Sequence, residues 1–118
     1  MTLYRFGLLL TAAAILPSCG RHHHNPWVWV TVHNEGTASA DIWSEAEYWS
    51  NWGGTWDQHL DTSAAPGESS RFGFDFDNLN RLKIRVYRST DHLKIFDDFW
   101  DRSDLEHLDE QVTITVSP

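Results

Sequence analysis

From residue 27 onward, apolar and polar residues alternate with a period of two along most of the chain. This is the pattern of strands that turn one face to a core. Val28, Val30 and Val32 alternate with Trp27, Trp29 and Thr31, so the first strand is apolar on both sides at its start. Ala38, Ala40 and Ile42 alternate with Ser39, Asp41 and Trp43. Phe72, Phe74 and Phe76 oppose Arg71, Gly73, Asp75 and Asp77, and Leu82, Ile84 and Val86 oppose Lys83, Arg85 and Tyr87. Val112, Ile114 and Val116 end the series against Thr113 and Thr115.

Two weaker runs complete the reading. Thr55 to Leu60 is expected as a short edge strand. Leu93 to Phe96 is another strand, with Asp97-Asp98 marking a bulge or the strand end. Turn residues separate the runs at Asn34-Glu35-Gly36, Gly53-Gly54, Ala65-Pro66-Gly67-Glu68 and Ser89-Thr90-Asp91. Ser44 to Trp52 fits either a continued strand or one helical turn with Ser44 and Glu47 as a capping box; we read it as an irregular excursion. A polar connection carrying Leu105 and Leu108 precedes the last strand. Six or seven short strands without a long helix predict an all-β domain over residues 27–118, an antiparallel β-sandwich.

The start of the chain obeys a different rule. Arg5 is its only charge, Phe6 to Leu16 is an apolar run, and Pro17, Ser18, Cys19 and Gly20 follow. A basic start, a short apolar segment and small residues describe an export signal. The run falls short of the roughly 20 apolar residues that a spanning helix needs. Leu16-Pro17-Ser18-Cys19 resembles the lipobox of bacterial lipoproteins. The resemblance implies cleavage before Cys19, a diacylglyceryl group on its thiol, an acyl chain such as palmitate on the new amine, and a membrane anchor. Stable anchoring takes two or more chains, because one gives only marginal binding. The alternative is an ordinary secretory peptide, cleaved nearby, that leaves a soluble protein. On the lipoprotein reading residues 1–18 are the signal peptide, 19–26 the lipidated cysteine and polar spacer, and 27–118 the domain. Gly20 after the cysteine implies sorting to the outer membrane in hosts that have one.

Val30-Thr31-Val32-His33-Asn34, Pro66-Gly67-Glu68-Ser69 and Val112-Thr113-Ile114-Thr115-Val116 occur in an order that resembles small immunoglobulin-like or transthyretin-like sandwiches of the bacterial envelope. This implies a fold and an envelope location but no particular activity.

Composition narrows the function. The formal charge is −8 and becomes one unit more negative if Arg5 is removed with the leader. An acidic domain speaks against nucleic acid, whose phosphates need clustered Lys and Arg. It also speaks against electrostatic docking on anionic lipid. Cys19 is the one cysteine, so no internal disulfide is available. Seven Trp and six Phe can fill a core without one.

No catalytic constellation is expected: the chain lacks a Gly-x-Ser-x-Gly elbow, a phosphate loop and a zinc pattern. His22, His23 and His24 fall in the spacer and are read as solvated linker, and no cofactor or metal is expected. Two acidic groups, Asp75, Asp77, Asn78 and Asn80, then Asp97, Asp98, Asp101 and Asp104, are read as turn chemistry in preference to calcium sites. The sharpest binding candidate is Trp49, Trp52 and Trp56 around Gly53-Gly54, where flat indoles in a loop can stack on the apolar faces of sugar rings; the alternative is that they cap an open end of the core. A third candidate is a partner surface at Trp27 and Trp29, beside an exposed edge that accepts a strand. The expected function is a non-enzymatic envelope lipoprotein, binding or structural, with a glycan or an envelope protein as its partner. The runner-up is a carbohydrate-binding module.

Overall fold

A computed structural model describes residues 26–118. The signal peptide 1–18, Cys19 and residues 20–25 of the spacer lie outside the described residues. Seven strands form: β1 (Trp27–Asn34), β2 (Ala40–Trp49), β3 (Thr55–Ala64), β4 (Ser69–Asp75), β5 (Leu79–Arg88), β6 (Lys94–Asp101) and β7 (Gln111–Val116). One short helix, α1 (Arg102–His107), joins β6 to β7. The strands make two sheets, a three-stranded one in the order β4-β1-β7 and a four-stranded one in the order β3-β2-β5-β6. The protein is an all-β sandwich.

The alternating residues do what their spacing requires. Val28, Val30 and Val32 of β1 face Ile42, Leu82, Ile84 and Val86 across one continuous core, which Phe72, Phe74, Phe76, Leu105 and Ile114 complete. Burying each such aliphatic chain contributes about 1.5–3 kcal/mol. The polar side chains of Asn34 and Ser44, drawn into this core, are satisfied. Asn34, 1% exposed, donates through Nδ2 to the carbonyls of Ala38 and Ala64 and accepts at Oδ1 from the Gly36 N–H. It thereby closes the first turn onto the end of β3.

Five expectations change. Ser44 to Trp49 continues β2 as regular strand, because Ser44 turns inward and its hydroxyl donates to the Leu60 carbonyl at 3.1 Å, so a polar residue occupies a core position without penalty. β3 runs on past Leu60 to Ala64. Asp97-Asp98 does not end its strand: Asp97 lies against Lys94 and Arg85, and the register shift falls at Val86/Tyr87 on the neighbouring β5. β1 is the middle strand of its sheet, antiparallel to β4 and parallel to β7. Its backbone is thus paired on both sides and accepts no partner strand. The polar connection becomes α1, whose N-cap Asp101 and Asp104 form a reciprocal capping box.

Candidate functional site

The inner face of β3 changes character along its length. Ala64 is buried and Thr62 and Leu60 are half-buried, whereas Gln58 and Trp56, two and four positions further on, are exposed. Those side chains have no aliphatic layer over them. At this end the two sheets part and leave an open cleft of about 430 Å³.

Four strands and a turn line it. Trp56 and Gln58 come from β3, Tyr48 and Trp49 from the end of β2, Trp27 from the start of β1, Asp75 from the end of β4, and Asp77 and Asn78 from the β4–β5 turn. Backbone pairing sets these positions. Tyr48 stands opposite Trp56 across β2 and β3, and Trp27 stands opposite Asp75 across β1 and β4. The N–H of Trp49 donates to the Asn78 carbonyl at 2.9 Å.

Tyr48 is the hinge between the two sheets. Its ring stacks on Trp56 at 4.6 Å between centroids with 22° between planes. Its hydroxyl donates to the Asp75 carbonyl at 2.9 Å and lies 3.4 Å from Gln58 Oε1. Burial, reinforced by the negative charge of Asp75, pushes the Tyr48 hydroxyl up to about 12 from its ordinary 10.0. At neutral pH it is a fixed donor. Asp75 in turn accepts the Asp77 N–H at Oδ1, 2.9 Å away, which shapes the turn.

The exposure of aromatic surface here is selective. Trp29 is covered by Arg71, 4.2 Å above its ring, and packs over Gly73. Trp43 is held between Arg85 and His59, and Trp100 stacks near Phe96. In contrast Trp27, Trp49 and Trp56 are 45%, 52% and 51% exposed, and all three line the cleft. Indoles grouped in this way around a few polar groups are the makings of a ligand site.

The expected trio of Trp49, Trp52 and Trp56 is therefore brought together only in part. Trp52 is 89% exposed at the tip of the β2–β3 turn and is not among the residues lining the cleft. Trp27, read from sequence as part of a partner surface, takes the third place. Tyr48, Gln58, Asp75, Asp77 and Asn78 were not anticipated as site residues, since only strand register places them beside the indoles. Among the described residues no group of three or more His, Cys, Asp or Glu is disposed to hold a metal ion. The acidic residues at 97–104 serve ion pairs and the helix cap. No helix among the described residues is long and apolar enough to cross a membrane. Cys19 lies outside the described residues.

No family model and no curated protein matches this chain. A solved structure described as "Trapped Toxin" is similar over 75% of this chain, with a TM-score of 0.50 and 14% identity. The match spans 21% of that longer chain. At this identity the likeness speaks for the fold alone.

Proposed function

We propose that this protein is an exported, non-catalytic binding module, held to a membrane of the cell envelope by lipid on Cys19, and that its cleft takes a glycan. The observation that carries the glycan reading is the set of three half-exposed indoles, Trp27, Trp49 and Trp56, around one cleft. Sugar rings offer apolar C–H faces to such surfaces and hydroxyls to polar neighbours. Gln58, Asp75, Asp77 and Asn78 supply acceptors and amide donors at the rim. No Lys or Arg lines the cleft, so its charge favours neutral sugars over acidic ones. The anchor reading rests on Leu16-Pro17-Ser18-Cys19 after the apolar run, and Gly20 favours the outer membrane where the host has one.

Retention of the protein on immobilised neutral polysaccharides and on peptidoglycan tests the glycan reading. Wild type and Trp52→Ala are expected to be retained alike, and Trp56→Ala is expected to pass through. Passage of the wild type through every matrix, or equal retention of Trp56→Ala, would overturn it.

A further inference from the structure

Trp52 is the most exposed aromatic of the described residues and does not line the cleft. The turn that carries it is built without help from the indole. The Ser50 hydroxyl donates to the Gly53 carbonyl at 2.9 Å and accepts the Trp52 N–H at 3.3 Å. Gly53 and Gly54 take φ of 94° and 87°, values that glycine adopts without strain. The fold thus holds a tryptophan out into solvent, where its apolar ring is available to whatever surface lies at this end of the domain.

Where the chain enters the domain says what that is. The Phe76 N–H donates to the Pro26 carbonyl at 2.9 Å, which pins residue 26 beside the β4–β5 turn. That turn is joined to the end of β2 by the bond from Trp49 to Asn78. The entry point, the cleft and the Trp52 tip therefore share one end of the sandwich. Residues 20–26 reach no more than roughly 25 Å when fully extended, so lipid on Cys19 keeps this end close to the bilayer.

We propose that the aromatic end is the membrane-facing end of the domain, with Trp52 seated among the headgroups of the bilayer that receives the Cys19 lipids. The inference rests on the lipid attachment proposed above. An indole suits that layer, since its ring is apolar and its N–H stays hydrated. The acyl chains supply the affinity and Trp52 sets the orientation. Asp75 and Asp77 at the same end select a zwitterionic or uncharged surface and disfavour an anionic one. In this orientation a glycan bound in the cleft is one displayed at the membrane surface.

The test uses the full chain purified from membranes, with its intact mass recording lipidation separately. The protein is reconstituted in phosphatidylcholine vesicles whose acyl chains are brominated near the headgroup. Its tryptophan emission is compared with that in unbrominated vesicles. Quenching is expected in the wild type and in Trp43→Phe, whose indole lies on the outer face of the four-stranded sheet. Most of it is expected to disappear in Trp52→Phe, which folds because the ring it replaces is exposed. Equal quenching in Trp52→Phe overturns the seating of Trp52 among the headgroups, and none in a lipidated wild type overturns the orientation, each while leaving the anchor intact. A mass without lipid removes the anchor, and this inference with it.

Discussion

Tyr48 and Trp56 stand opposite each other on neighbouring strands with their rings stacked at 4.6 Å, and the hydroxyl of Tyr48 reaches across to the Asp75 carbonyl of the other sheet. One side chain thus fixes the floor of the cleft and ties its two walls together. Tyr48→Phe keeps the stack but leaves that carbonyl without its partner. A loss of about 1–2 kcal/mol in urea unfolding is expected. Stability unchanged within error would show that the bond contributes nothing.

The same hydroxyl makes stability depend on alkaline pH. Its proton is held up to about 12 in the folded protein against 10.0 for an ordinary tyrosine. The folded state therefore keeps the proton that the unfolded chain releases first. Between about pH 10 and 12 stability must fall as pH rises, by the linkage of proton uptake to folding. Unfolding followed across that window should show a slope in the wild type that is shallower in Tyr48→Phe. Parallel slopes would assign the alkaline loss to other groups.

Gly73 sits beneath Trp29, and a Cβ built there would lie 2.9 Å from the Trp29 ring carbons Cε3 and Cζ3. Gly73→Ala must push the indole off the sheet and away from Arg71. A destabilisation of about 1–3 kcal/mol is expected, as for other overpacked sites. The double variant with Trp29→Ala should recover part of it, since the obstructing ring is gone. Additive losses in the double variant would contradict the steric cause.

Asn34 makes three hydrogen bonds from a site that is 1% exposed. Asn34→Ala strands two carbonyls and an N–H, so thermal and urea unfolding should register a loss on the order of 2–3 kcal/mol. Asn34→Asp should not rescue it, because a carboxylate cannot donate to the Ala38 and Ala64 carbonyls. Rescue by Asp would mean that only the bond to the Gly36 N–H matters.

Residues that obey a local rule were legible in the sequence. The phenylalanines at 72, 74 and 76 and the aliphatics at 82, 84 and 86 announce their faces by alternation alone. Ser44 broke the pattern because its acceptor, the Leu60 carbonyl, lies on another strand and cannot be seen from neighbours in sequence. Asp97 misled for the same reason, since its partner Arg85 comes from β5. The cleft was half legible. Proximity in sequence suggested Trp49, Trp52 and Trp56, but the hairpin turns Trp52 out to the tip, while the pairing of Trp27 with Asp75 brings in a residue from the first strand. That register is a long-range property that no local motif carries.

Binding of a glycan in the cleft through Trp27, Trp49 and Trp56 can be measured in solution. Titration of the domain with a neutral oligosaccharide, chosen from whichever polysaccharide retains it and followed by calorimetry, tests this most directly in wild type, Trp56→Ala and Trp43→Ala. Truncating a tryptophan at the centre of a binding site costs about 2 kcal/mol or more, roughly a thirtyfold loss of affinity. That loss is expected for Trp56→Ala and wild-type affinity for Trp43→Ala, whose ring is already occupied by Arg85 and His59. Equal affinities in all three proteins would place the sugar outside the cleft.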